Sequence, residues 1–319
     1  MMRGALRAAC RVLPPAAAGQ VRVRAFPQDE AVAAPEVRTG QSANGARFVG
    51  STDDFLSHQM LLHGYFDWRN WAVAQVLVPP GGTIVEVGAN VGTETVCFGA
   101  VVGAQGRVVA FEPVAANLEW LTRNRELNAD LPIQIEPIGL SDRTGDLTFE
   151  EPPRDISGEG WLVSEDDDEG PRPGWTRTVV PVRRFDDLEL GLERLDYMTL
   201  DVEGAEPAVL LGATESLRRF RPAVVVEADR HHLRRAGYAG GLVHLRDVLV
   251  DLDYEPFVIE RFDLIPFDPA APPHHRNWLA LPRERVDEVA RVRRHLRRCF
   301  VSPVVFGLNP LARTNRPRR

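Results

Sequence analysis

The chain of 319 residues is 44% hydrophobic and 26% charged, with a formal net charge of -7 and a sequence pI near 5.7. Such a length buries a sizeable core as one large α/β domain or two small ones, and the acidic balance excludes general nucleic-acid binding, which leaves a strong basic excess. All 38 lysine-plus-arginine positions are arginine, a bias of GC-rich coding that also excludes a lysine base or a Schiff base.

Residues 1–24 are rich in Arg and Ala and hold no acid. That composition suits either a mitochondrial-type transit peptide or a poorly ordered extension. Pro14 and Pro15 interrupt an amphipathic helix, and Ala, Pro and Gly continue beyond it, so residues 1–47 read as a disordered or flexible N-terminal extension. The ordered domain is expected over residues 48–300, followed by a C-terminal tail at 301–319. Between Asp53 and Val78, Phe55, Met60, Leu61, Tyr65, Trp68, Trp71, Val73 and Val76 recur at helical spacing and predict one or two helices. Tyr65 and Trp68 read as core or lid packing rather than as stacking partners for a cofactor. Pro79, Pro80, Gly81 and Gly82 then turn the chain into a sheet.

The first strand, Ile84–Val87, carries Glu86 near its end and runs into Gly88, Ala89, Asn90, Val91 and Gly92. Gly88 and Gly92 allow a tight turn and close approach of backbone to a ligand at the start of a helix. An acid at the carboxyl end of a strand suits a cationic amino group. The third position of the dinucleotide fingerprint is Asn90 rather than glycine, which weakens a pyrophosphate reading. The pattern therefore points to S-adenosylmethionine.

A helix over Thr93–Val102 leads to a second strand, Arg107–Phe111, which ends in Glu112 and Pro113. Glu112 lies a little over 20 residues past the loop, where nucleotide-binding βαβ units place a carboxylate on the ribose hydroxyls. Leu118, Leu121 and Leu127 mark a helix from Ala115 to Asn128, and Ile133–Leu140 reads as a third strand broken near Pro137. The alternation implies parallel strands with right-handed crossovers and helices on both faces. Ser141 and Asp142 follow at the same edge, either beside an adenine ring or as a plain turn.

From 150 to 177 the pattern dissolves into Pro, Gly and acids, and reads as a mobile loop and possible lid, with Trp161 and Trp175 as its isolated aromatics. The run Asp166, Asp167, Asp168 and Glu169 reads as solvated surface rather than a metal site. Thr178–Val182 holds Pro181 and is expected at a sheet edge. Tyr197–Leu200 delivers Asp201, Glu203 and Glu206 to the ligand edge before a helix to Phe220; acids there also favour the positive end of the helix dipole. Ala223–Val226 ends in Glu227, with His231 and His232 just beyond. Leu242–Leu252 is expected as a helix, Phe257–Glu260 and Trp278–Leu281 as strands, and 283–298 as a solvated, Arg-rich helix. The three cysteines, Cys10, Cys97 and Cys299, are too widely spaced for a disulfide framework or a zinc site and fit a reducing compartment. No apolar run approaches the roughly 18 to 20 residues of a spanning helix, so no integral membrane association is expected and a cytoplasmic setting is simplest.

In-line methyl transfer to a hydroxyl needs the nucleophile held near the methyl carbon and a base for its proton. Asp201 leads the candidates, followed by Glu227 and Glu203. A divalent cation on Asp201 and its neighbours would serve as well, but no ligand spacing requires one.

Taken together, the segments Val85–Gly92, Phe111–Pro113 with Asn117, and Leu200–Glu206 resemble the FkbM family of S-adenosylmethionine-dependent methyltransferases over residues 82–227. The resemblance implies a class I methyltransferase fold, a Rossmann-like three-layer sandwich around a mainly parallel seven-stranded sheet with one reversed strand. It also implies O-methylation of a small hydroxylated acceptor such as a sugar, glycolipid or secondary metabolite. Carried over by position, Glu86, Gly88, Asn90 and Gly92 surround the methionine moiety, Glu112 and Asn117 meet the ribose, and Ser141 and Asp142 the adenine end. Ala89, Pro113 and Asp201 complete the expected cofactor-binding set. Two positions depart from the family pattern: Glu86 stands where many relatives have Asp, and Thr199 where many have Lys. A nicotinamide-dependent oxidoreductase is the second reading, disfavoured by Asn90 and by acids at both Glu86 and Glu112. A protein that binds without catalysis is the third, kept open by Thr199.

Overall fold

The computed structural model describes residues 2–153, 160–163, 170–270 and 275–301. It opens with three short helices, α1 (Met2–Val12), α2 (Pro15–Ala25) and α3 (Gln28–Ala33), and a hairpin of β1 (Val37–Gln41) and β2 (Arg47–Ser51). Composition alone suggested a flexible extension here. Pro15 instead occupies the first turn of α2, where a missing N–H costs nothing, so the proline pair separates two helices. Long-range contacts then hold them: Cys10 and Phe26 share a buried cluster with Leu62, and Arg11 donates to the carbonyls of Gln41 and Leu61 at 2.9 and 3.1 Å.

Two buried helices follow, α4 (Phe55–His63) and α5 (Trp68–Leu77). Asp54 caps α4 by accepting from the Ser57 N–H at 2.7 Å, and Asp67 caps α5 by accepting from the Arg69 N–H at 3.0 Å. Alternation begins with β3 (Thr83–Val87), α6 (Thr95–Val102), β4 (Arg107–Phe111), α7 (Ala115–Leu127) and β5 (Ile133–Glu136). After four short strands, β6 (Gly139–Leu140), β7 (Gly145–Glu151), β8 (Trp161–Leu162) and β9 (Thr176–Arg183), it resumes with β10 (Tyr197–Leu200), α8 (Glu206–Gly212), α9 (Thr214–Phe220), β11 (Ala223–Glu227), α10 (Arg230–Arg235), α11 (Leu242–Asp251), β12 (Tyr254–Ile259), β13 (Leu264–Pro266), β14 (Asn277–Pro282) and α12 (Val289–Val301).

The main sheet has the order β13-β12-β14-β11-β10-β3-β4-β5. From β5 to β11 every pairing is parallel, and β14 runs antiparallel to both β11 and β12. This is the class I methyltransferase sheet of seven strands with one reversed, extended by β13 as an antiparallel edge. All five residues of β3 are buried, which is why it reads as a continuous apolar run broken only by Glu86.

A second sheet, β6-β9-β7-β8, stands apart from the first. The third strand divides at Pro137, as expected, and its second half pairs with β9 rather than β4. One expectation is corrected. The segment from 150 to 177 is not loop throughout: β7 runs through Glu150, which is 2% exposed and pairs with Arg177 at 3.0 Å, and β8 and β9 pair with β7. Pro181 falls where β9 has only β7 beside it, since β6 joins at Val182. The acidic run at 166–169 and the tail from 302 lie outside the described residues. Helix α12 is solvated on one face only; Val289, Val292, Leu296 and Cys299, three or four residues apart, are buried and pack against α5.

Candidate active site

Chain direction reverses its spread between β3 and β10: from β3 the next strand, β4, lies on one side, while β10 fills the other. Open α/β sheets bind ligands in the crevice at such a switch point, beyond the carboxyl ends of the strands. Parallel register then aligns three strand ends. Leu200 pairs with Val87 on one side and Val226 on the other, so Gly88, Asp201 and Glu227 arrive at one edge.

Gly88 is fixed by this meeting. Its φ is 89°, and a Cβ there would lie 1.9 Å from the Asp201 carbonyl oxygen, so no other residue lets β3 and β10 leave the sheet side by side. The N–H groups of Gly88 and Ala89 both donate to the Phe111 carbonyl at 3.0 Å, which ties the loop to the end of β4. Gly92 serves a different purpose: its missing Cβ admits Leu121 of α7, which would otherwise be 2.8 Å away.

Two buried carboxylates flank the loop. Glu112 accepts from the Asn90 N–H at 2.8 Å, the Val114 N–H at 2.9 Å and the Asn117 side chain at 3.3 Å. Burial raises its pKa to about 7 against these hydrogen bonds. With some four lone-pair sites on a carboxylate, acceptor capacity remains for further donors. Glu86 is 3% exposed, and its Oε2 accepts no hydrogen bond. Burial, with the nearby Glu112 and Asp201 charges, lifts it to about 8 despite Thr95.

The cavity at this edge measures about 1850 Å³, above the roughly 300–1,000 Å³ of ordinary small-molecule pockets. Glu86, Gly88, Ala89, Asn90, Glu112, Pro113 and Asn117 line it, as do Asp201, Glu203 and Glu227. Three expected residues do not join them. Gly92 faces α7, as above, while Ser141 and Asp142 turn away to meet α8, where a Cβ on Gly212 would lie 2.0 Å from the Ser141 carbonyl oxygen.

Asp201 is exposed to the cavity, and desolvation by the surrounding protein raises its pKa. A hydrogen bond links it to Glu227, lowering Asp201 and raising Glu227 further. Glu203, held at φ 54°, is raised by burial and by the charges of Asp201 and Glu206. Its carboxylate pairs with Nδ1 of His232, which Asp229 positions by capping α10. Arg276 lies 3.7 Å from Glu227 and 2.9 Å from Asp229. Glu206 points elsewhere, its Oε1 accepting from the Val202 and Gly204 N–H groups at 3.2 Å, and so caps the turn.

Sequence reasoning missed Asn70 and Glu94, which line the cavity. Asn70 of α5 donates to Glu94 at 2.7 Å and to Thr199 at 3.0 Å, and accepts from Tyr197. Thr199 thus ties the sheet to α5. No local signal marks Asn70, since its partners lie 24 and 129 residues away. Trp161 and Trp175, which also line the cavity, pack in a tilted pair with centroids 4.5 Å apart, and Arg172 and Arg235 lie 4.1 and 3.7 Å from the Trp161 centroid.

Residues 86–285 match the Methyltransferase FkbM domain. The chain belongs to the FkbM methyltransferase family. Among curated relatives it is 30% identical over 202 residues to the AMB antimetabolite synthetase AmbE of Pseudomonas aeruginosa, covering 53% of this chain and 9% of that protein. It is 30% identical over 176 residues to the methyltransferase sdnD of Sordaria araneosa, covering 47% of this chain and 67% of the other. To the 2-O-methyltransferase NoeI of Sinorhizobium fredii it is 28% identical over 160 residues, 47% and 64% of the two chains. The chain therefore spans less than a tenth of the first relative and about two thirds of the others. Among solved structures, the FkbM methyltransferase of Methylobacillus flagellatus aligns over 82% of this chain and 60% of its own, with 18% identity and a TM-score of 0.41. No helix among the described residues is long and apolar enough to cross a membrane.

Proposed function

We propose that this FkbM-family protein is an S-adenosylmethionine-dependent O-methyltransferase acting on a small hydroxylated acceptor. The observation that carries the reading is the pair of buried carboxylates, Glu86 and Glu112, on either side of the Gly88 loop, each with acceptor capacity to spare. When bound, the cofactor supplies a methyl group already activated on a sulfonium. Glu86 suits its ammonium group, Glu112 with Asn117 its ribose hydroxyls, and the Gly88 turn lets the backbone come close. A pyrophosphate would meet these two acids instead of the amides and cations it requires.

Asp201 is the base. It lines the cavity at the end of β10, where its carboxylate can accept a proton from an acceptor hydroxyl, and the hydrogen bond with Glu227 favours its charged form. The paired tryptophans and the large cavity favour an acceptor with apolar or sugar faces, as the name of the 2-O-methyltransferase relative also suggests. Three buried free thiols, Cys10, Cys97 and Cys299, favour a reducing, cytoplasmic setting.

Titration calorimetry with S-adenosylmethionine, S-adenosylhomocysteine and NAD tests the reading. The first two are expected to bind, and Glu112→Gln to weaken them by about 1.5–3 kcal/mol, the worth of a charge-assisted hydrogen bond. NAD binding with no response to the adenosyl compounds would sink it.

A further inference from the structure

One cluster beside Asp201 has donors that the hydrogen-bond network does not use. A carboxylate oxygen from each of Glu203 and Glu227 and a ring nitrogen of His232 lie within 4.8 Å of one another. Oε2 of Glu203 and Oε2 of Glu227 are buried and accept no hydrogen bond. Nδ1 of His232 is also buried, and its contact with Glu203 lacks hydrogen-bond alignment. Two carboxylate oxygens and a ring nitrogen thus converge in one buried spot, as ligands do around a cation.

Charge argues the same way. Glu203, Glu227 and Asp201 meet here with Glu206 adjacent, itself 1% exposed with a partnerless Oε2. Arg276 is the cation the structure sets against them, and it approaches Glu227 through Oε1, dividing itself with Asp229. Buried like charges are tolerated when neutralised by protons or by a metal. The three ligands come from β11, α10 and the turn between β10 and α8, so the fold holds them from three directions.

We infer that Glu203, Glu227 and His232 form a binding site for a divalent first-row transition cation of the Mn2+ or Zn2+ class. Two carboxylates with one imidazole suit such ions, whereas Mg2+ and Ca2+ favour all-oxygen sets. Bonds of about 2.0–2.2 Å would need the Glu203 and His232 atoms, now in direct contact, to move apart around the ion. The remaining coordination positions face the cavity beside Asp201. The ion's role there rests on the methyl-transfer reading: it would lower the pKa of an acceptor hydroxyl whose proton Asp201 takes. Binding of the ion does not rest on that reading.

The test uses the full chain, stripped with chelator, in the absence of cofactor. Calorimetry and metal analysis with Mn2+ or Zn2+ are expected to give a single site per chain. His232→Ala and Glu227→Gln should each weaken it by at least about tenfold, and His275→Ala, elsewhere in the cavity, should not. Spin-echo spectroscopy of Mn2+ on the unmodified protein, which does not depend on a variant folding, is the deciding measurement, and a directly bound imidazole nitrogen is expected. Absence of stoichiometric binding, or a bound Mn2+ with no nitrogen ligand, overturns the site; a metal-free protein whose methyl transfer falls in His232→Ala would assign the Glu203–His232 pair to proton transfer instead. Failure to bind S-adenosylmethionine with the metal site intact would sink the methyl-transfer reading alone.

Discussion

Glu86 and Glu112 show how burial sets chemistry one residue at a time. Their folded-state pKa values are raised to about 8 and about 7 from an ordinary 4.5, with burial the leading cause in both. A carboxyl raised on folding contributes stability that is fully present below its unfolded pKa and is lost as pH rises through the folded value. The protein without cofactor should therefore lose stability as pH rises from about 5 to about 8, Glu86 contributing to the upper part of the fall together with the raised Glu94, Glu203 and Glu227. Urea unfolding across this range measures it, and Glu86→Gln should flatten the slope above about pH 7. A profile that rises with pH would contradict the burial argument. Glu86 was legible from the sequence because it breaks an apolar strand. Its orphaned Oε2 was not, because that depends on what the neighbouring strands withhold.

Among the elements, α7 joins two parts of the chain through side-chain amides. Asn124 accepts from the Val49 N–H at 2.7 Å and donates to the Val49 and Val91 carbonyls at 3.0 and 2.9 Å. One turn on, Asn128 accepts from the Arg47 N–H and donates to the Arg47 carbonyl, both at 2.7 Å. The two amides stand in for a neighbouring strand along β2, so the hairpin needs no other partner there. Asn124→Leu removes three bonds and leaves buried backbone groups unmatched, a loss of about 2–4 kcal/mol. Denaturant unfolding should show it, with faster proteolysis in residues 37–51; an unchanged midpoint would mean that water replaces the amide. The elements of the main sheet were legible because helix and strand periods alternate from Ile84 to Glu136 and again from Tyr197 to Phe220. The second sheet was not, because β7, β8 and β9 find their partners only across Pro-, Gly- and acid-rich sequence, and the bent pairing at Pro137 obeys tertiary rather than local preference.

At the scale of the molecule, the N-terminal helices form an outer wall whose contacts differ in kind from those of the sheet edge. They touch it through Arg11, through Gln28 donating to the Asp53 carbonyl at 2.7 Å, and through His58 bonded to the Phe26 carbonyl at 3.0 Å. Pro15, Ala16, Gly19 and Gln20 of α1–α2 line the far end of the cavity, while Glu86, Gly88 and Glu112 take their contacts from β3, β4 and α7. Composition hid this wall because each contact is long-range and its helices are individually too short to be stable alone. His63 reports on it. Burial first, then the Arg22, His58 and Arg11 charges, lower its pKa to about 3. Deleting residues 1–35 removes both arginines and part of the cover, so the His63 pKa should move back toward its ordinary 6.5. Cofactor affinity should stay unchanged, because no residue of Glu86, Glu112 or the Gly88 loop bonds to the deleted segment. Nuclear magnetic resonance titration of His63 and calorimetry on the shortened chain measure the two halves of this prediction. A His63 that still stays neutral well below about pH 5 would show that α4 and the sheet provide its burial unaided, and lost cofactor affinity would show that the wall and the sheet edge are one cooperative unit.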